Sequence, residues 1–199
     1  MISGRPGLLS TQPSRFPGSE SLSYPGNDNT LFIEPGTVIL GSTADQGTLV
    51  VIQDSKIFAT GTPSLPIIFS SVQPLGGRAA GDWGGLVLNG RAPVNDPTIP
   101  DNPDAGEGAS GPFGGDNPND SSGVLQYVRV EFAGDDVTAT DQLNGIALQG
   151  TGAGTTLDFV QVHYNQDDGT EPFGGSTSQT HMVTTGIRDD SFDGTDGYR

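Results

Sequence analysis

Three adjacent acid pairs mark the second half of this 199-residue chain: Asp135-Asp136, Asp167-Asp168 and Asp189-Asp190. The first pair stands to Val130 as the second stands to Val162, and the third follows after a shorter interval, with Glu171, Asp193 and Asp196 close by. Carboxylates recurring in this way act together only if the backbone winds them side by side. They then repel one another, which raises their pKa values unless a cation lies between them. Oxygen donors flanked by glycines suit Ca2+, which takes six to eight oxygens at roughly 2.3–2.6 Å. Asp135, Asp136, Asp167, Asp168, Asp189, Asp190, Glu171, Asp193 and Asp196 are therefore the expected metal ligands, and Ca2+ the expected cofactor. The alternative is a solvated acidic face.

Other chemistry has thinner support. His163 and His181 are the only histidines, too few for a transition-metal site of their own. Arg129 stands near Glu131, and Arg188 precedes Asp189; such neighbours are usually surface ion pairs of small energetic weight. Gly150 to Gly154 is glycine-rich, but no helix follows to present its N-terminus to a phosphate. Asn89 and Asn144 read as hydrogen-bonding residues of turns, and Trp83 as a corner packing residue. No catalytic residue is assigned.

The charge is lopsided. Residues 101–199 carry 17 acids against 3 arginines, and the whole chain is at −16. Nucleic acid and anionic membranes both demand clustered Lys and Arg, so they are excluded as partners. Without cysteine there are no disulfides, thiolate metal sites or cysteine nucleophiles. No apolar run reaches the length of a membrane span. Met1 to Pro6 lacks the apolar core of a signal peptide, as expected of a mature, trimmed or non-exported chain.

The elements that must position the acids are strands. With 31 glycines and 15 prolines the chain has little room for a long helix. Val128-Arg129-Val130-Glu131 and Val160-Gln161-Val162-His163 alternate apolar and polar residues, so two valines of each face a core. Short apolar strands recur from Leu31 onward, and Val51, Phe69 and Leu88 are almost evenly spaced. That recurrence predicts the coils of a β-solenoid, with a β-sandwich as the competing all-β arrangement. Residues 1–30, rich in Ser, Pro and Gly, read as an extended arm, and 31–199 as the solenoid domain. Residues 92–122, punctuated by proline, read as one long insertion loop over a side face.

Several blocks occur in a recognisable order: Gly61 to Ser71, Gly81-Asp82-Trp83-Gly84-Gly85 through Pro93, Leu125 to Gly134, Leu157 to Tyr164, and Asp189-Asp190 to Arg199. Over 31–199 the chain resembles a family of bacterial cell-surface and secreted right-handed parallel β-helix proteins. The resemblance implies that fold and an extracellular or cell-surface location, and assigns no shared activity. It also implies further strands beyond Arg199 in relatives. Pectate-lyase-like enzymes share the fold and use Ca2+ with an arginine or lysine base, a role that Arg129 or Arg188 would take.

The resulting expectation is a non-enzymatic extracellular structural protein. Its subunits would assemble head to tail into a surface filament or layer, the arm lying on the next copy, with Ca2+ on the acidic turns. A polysaccharide-active lyase is one alternative. An adhesin-like module binding through 92–122 is another, with polysaccharide as the further partner.

Overall fold

The computed structural model describes residues 29–44, 47–138 and 141–199. The expected arm therefore lies outside the described residues, apart from its last two positions. Among the described residues there is no α-helix, and nearly every strand pairing is parallel.

The chain winds in coils that each offer up to three strands. The first coil carries β1 (Thr30–Ile33), β2 (Val38–Gly41) and β3 (Thr48–Val51). The second carries β4 (Lys56–Thr60), β5 (Ile67–Ser71) and β6 (Gly85–Asn89). In the third, β7 (Gly123–Glu131) bends at Tyr127 and so serves two faces. A small antiparallel hairpin follows, β8 (Asp136–Thr138) with β9 (Asp141–Gln142), before β10 (Ile146–Gln149). The fourth coil has β11 (Thr156–His163), bent at Phe159, and β12 (Thr170–Phe173). The last described coil has β13 (Ser178–Thr180) and β14 (Val183–Thr185).

Parallel pairing stacks like positions. On the first face Ile33, Ala59, Leu125, Leu157 and Gln179 follow one another in register. On the second, Ile39 leads to Phe69, Val130, Val162 and Thr184. On the third, Val51 leads to Leu88, Leu148 and Pro172. The apolar members of these columns supply much of the hydrophobic core. Alternation places them there: Val128 and Val130 are buried, while Arg129 between them is partly exposed.

The even spacing of Val51, Phe69 and Leu88 does not mark one coil. Val51 pairs with Leu88 across the third face, whereas Phe69 lies on the second, beside Val130. The recurrence joins strands of different faces. True coil-to-coil offsets vary: Leu125 and Leu157 are stacked neighbours, and so are Leu157 and Gln179, although the second pair is much closer in sequence.

The bends are aromatic. Tyr127, Phe159 and His181 all have positive φ (50°, 53° and 49°), a backbone region that is costly for L-residues. Their rings stack coil upon coil: Tyr127 on Phe159 at 4.7 Å and 9°, and Phe159 on His181 at 4.1 Å and 3°. A stacked pair contributes about 0.5–1.5 kcal/mol, comparable to the strain of one left-handed residue. A second stair joins Phe132 and Tyr164 and ends at Gly186, whose φ is 67° and where a Cβ would stand 3.3 Å from the Tyr164 ring.

The third face is covered on its outer side as well. Residues 90–122 contain no strand, only the short 3-10 turns Ile99–Asp101 and Glu107–Ala109. They lie over β6 and β10, every residue of which is buried. Asn89 Nδ2 donates to the Ser110 carbonyl at 3.1 Å, Ser110 Oγ donates to Gln149 Oε1 at 3.2 Å, and the Phe113 ring meets Phe173 edge-on. Val87, Leu143 and Ala147 form a second small core beneath.

Candidate metal centre

The acids gather where the second face turns into the third. After β11 the chain passes through residues 164–169 before β12 begins, and the last coil repeats the path above it. Backbone hydrogen bonds fix this turn. Asp168 accepts at its carbonyl from Gly145 N–H at 2.9 Å and from Asn165 Nδ2 at 2.6 Å, and Gly169 N–H donates to the Asp190 carbonyl at 2.9 Å. Asp190 N–H in turn donates to Asp168 Oδ1 at 2.9 Å. Two groups of carboxylates result, Asp167–Asp168–Asp189 and Asp168–Glu171–Asp193, each with its donor atoms within 4.8 Å of one another. Asp168 belongs to both.

Burial and mutual repulsion set the electrostatics. Burial, reinforced by Asp167, Asp193 and Asp189, pushes the Asp168 carboxyl up to about 6 against the hydrogen bond from Asp190. Burial likewise pushes Glu171 up to about 7; the Asn144 amide opposes this and Asp168, Asp193 and Asp167 add to it. Asp167 is raised by burial and by Asp189, Asp136 and Asp193. Among the described residues the ion pairs are Arg91–Asp54, Arg129–Glu131 and His181–Asp158, all outside this cluster.

Sequence reasoning missed Glu107. It sits in the 3-10 turn of the 90–122 segment, and its Oε2 accepts from Asn144 Nδ2 at 2.9 Å. The same nitrogen donates to Glu171 Oε2 at 2.7 Å. Burial, then the Glu171 charge, pushes Glu107 up to about 9 against the Asn144 hydrogen bond. Asn144 itself is buried at 1% exposure, and its Oδ1 has no hydrogen-bond partner. An all-oxygen donor set with an orphaned amide oxygen beside it fits a hard cation such as Ca2+.

Of the acids singled out in sequence, Asp167, Asp168, Asp189, Glu171 and Asp193 converge; Asp135, Asp136, Asp190 and Asp196 do not join the two groups. The register that aligns Val130 with Val162 holds through the pairing of Glu131 with His163. Beyond it, the β8–β9 hairpin takes the first pair out of the two groups, with Asp136 still near enough to raise Asp167 and to accept from Gln166 Nε2 at 3.4 Å. Asp135 is buried at the hairpin base, its carbonyl accepting from Leu143 N–H at 2.8 Å, and Asp136 is exposed in β8. Asp190 lends its backbone N–H rather than its carboxylate. Asp196 lies against the 90–122 segment, its carbonyl accepting from Asn95 N–H.

The residues read as a possible lyase base are engaged elsewhere. Arg129 Nη2 pairs with Glu131 Oε1 at 2.7 Å and its Nε donates to Gln161 Oε1, while Arg188 Nη1 donates to Gln166 Oε1. An open groove runs past Arg129, bounded by Thr62, Pro63, Tyr127, Phe159 and His181. No helix is long and apolar enough to cross a membrane among the described residues.

Comparison with known proteins gives one family. The model described as the pectate-lyase like beta helix domain matches residues 21–199. No curated protein matches the chain, and no solved structure matches it.

Proposed function

The chain belongs to the pectate-lyase-like β-helix family, and we propose that it is a non-enzymatic structural β-helix of the cell exterior whose coils are tied together by Ca2+. The sharing of Asp168 between two acid groups carries this reading, because the groups draw on consecutive coils: Asp167, Asp168 and Glu171 from the fourth, Asp189 and Asp193 from the last described one. A cation held there would draw both coils together and relieve the repulsion among these carboxylates. Raised pKa values mark electrostatic work that a bound cation would remove. Head-to-tail assembly into a filament or layer is part of the proposal. It is supported by core-packing side chains left only partly buried on the terminal described coils, Leu31, Ile33 and Ile39 on the first and Met182 and Ile187 on the last. Titration of the chelated protein with Ca2+ by calorimetry tests the cation; no heat of binding at millimolar Ca2+ would sink it.

A second reading follows from the family. The groove beside Arg129, with Gln161 and His181 on its walls, would admit a polysaccharide, and Arg129 would serve as base in a lyase. Its pairing with Glu131 and Gln161 speaks against that role. Incubation with acidic polysaccharides, followed by ultraviolet absorbance of unsaturated products, separates the two readings.

A further inference from the structure

We propose that residues 21–24, which precede the described coils, seat as an added strand on the free edge of β3, with Leu22 over Leu49 and Tyr24 over Val51. The inference goes beyond the assembly reading: it gives this stretch a place on its own chain and leaves residues 1–20 for a neighbouring copy.

The third face ends at β3. Its strands are ordered β12, β10, β6 and β3, so β3 is paired on one side only among the described residues. Both of its inward side chains serve the core: Val51 is a member and Leu49 packs against it. One level up, Leu86 and Leu88 are covered, at 0% and 1% exposure, whereas Leu49 is only half-buried. A partly uncovered apolar position beside a row of unpaired backbone groups is the edge onto which an extended segment adds.

The path of the chain names that segment. Each circuit passes from the third face to the first face of the next coil. Where no insertion intervenes, the residue stacked with Val51 precedes the residue stacked with Phe32 by six to eight positions: Val51 before Phe58, Leu148 before Thr156, Pro172 before Ser178. Counted back from Phe32, the neighbour of Val51 is residue 24, 25 or 26. Side chains alternate along a strand, and only the first choice brings large apolar groups onto both inward positions, Tyr24 on Val51 and Leu22 on Leu49. The second would bring Pro25 and Ser23 inward, the third Gly26 and Tyr24. With Tyr24 in place, Pro25-Gly26 falls in the turn, where both residue types belong. Tyrosine also suits the last level of a core, its ring against apolar neighbours and its hydroxyl in water. Independently, the family match opens at residue 21, the first residue of this strand, and not at β1.

Disulfide trapping tests the placement, because the chain has no cysteine of its own. Paired strands lie about 4.7–4.9 Å apart, within the span of a disulfide. Val50 points outward into the second small core. Ser23→Cys with Val50→Cys therefore sets two thiols on one side of the sheet at one level, and Tyr24→Cys with Val50→Cys sets them on opposite sides. In dilute full-length protein under mild oxidation, the first pair should close within the chain about tenfold faster than the second, because a seated strand gives it the higher effective concentration. Peptide mass mapping and non-reducing electrophoresis read the products. Equal rates for the two pairs would overturn the inference. A disulfide formed chiefly between chains would overturn it as well, and would put the stretch on the next copy. A fast intrachain bond in protein that never polymerises would leave the inference standing and refute assembly. Should the cysteine pair fail to fold, Tyr24→Asp gives a second measurement. Hydrogen exchange across residues 48–51 should quicken by about tenfold as the edge loses its cover, with exchange across 157–162 unchanged. An unaltered rate at 48–51 would count against the seating.

Discussion

Asp168 accepts a hydrogen bond from the backbone N–H of Asp190, one coil further on, at 2.9 Å. The contact pins the carboxylate that both acid groups share and gives one of its oxygens a fixed partner. It also explains why neighbouring aspartates play different parts: Asp190 gives its backbone, and Asp189 its carboxylate.

Substitution should therefore separate the aspartates. Asp168→Asn is expected to abolish most of the Ca2+-dependent rise in melting temperature, since it weakens both groups at once. Asp136→Asn and Asp196→Asn, whose carboxylates lie outside the two groups, should keep most of the rise, Asp196→Asn to within about 1 °C, the scale of a few tenths of a kcal/mol for a domain of this size. Calorimetric scans with and without Ca2+ decide it; equal losses in all three variants would contradict the ligand assignment.

Chelated protein should lose stability as pH rises. Glu107, Glu171 and Asp168 have folded pKa values of about 9, about 7 and about 6, each above its ordinary value. The folded state thus holds protons that the unfolded chain releases, so the contribution of these groups is complete below about pH 4 and is lost as pH climbs through the folded values. Melting temperature in EDTA should fall by several degrees between pH 5 and pH 9, and Ca2+ should flatten the slope. A flat or rising profile in EDTA would refute the assignment of these acids as buried and mutually repelling.

At Phe159 the order of tolerance should invert the usual one. Phe159→Gly and Phe159→Ala both lose the stacks with Tyr127 and His181, but only glycine relieves the positive φ. The alanine variant should be less stable than the glycine variant by about 1 kcal/mol in urea unfolding. Alanine proving the more stable of the two would mean that the bend relaxes.

Removing residues 1–30 tests assembly. If copies associate head to tail with the arm on the next subunit, the shortened chain should sediment as a monomer, and the full chain should form polymers visible by electron microscopy. Polymers of undiminished length from the shortened chain would rule out the arm.

How far the sequence could be read depended on how local each signal was. Alternation in Val128 to Glu131 and Val160 to His163 disclosed two strands, their faces and their mutual register, because side-chain direction follows from spacing alone. The convergence of Asp167 and Asp168 with Asp189 followed from the same logic one coil later. Coil length was misjudged because the faces are joined by unequal turns: residues 61–66 separate β4 from β5, where Tyr127 alone makes the corresponding bend. Nothing around Asp135 announced that a hairpin would leave the coil there. Glu107 had no periodic context at all; it reaches Asn144 through the fold of a strand-free segment, which carries no pattern. A half-buried acid in a proline-rich stretch is legible only after the face beneath it is known.

The pitch of this molecule is set by hydrogen bonds between strands, while its girth is not. Leu157 meets Gln179 after a short circuit of chain, and Ile57 meets Gly123 after a far longer one, yet each pair sits one level apart. Extra chain is thus exported sideways at a chosen height without disturbing the levels above and below. Such a molecule works as a graduated post, on which ornaments of any size hang at predetermined elevations.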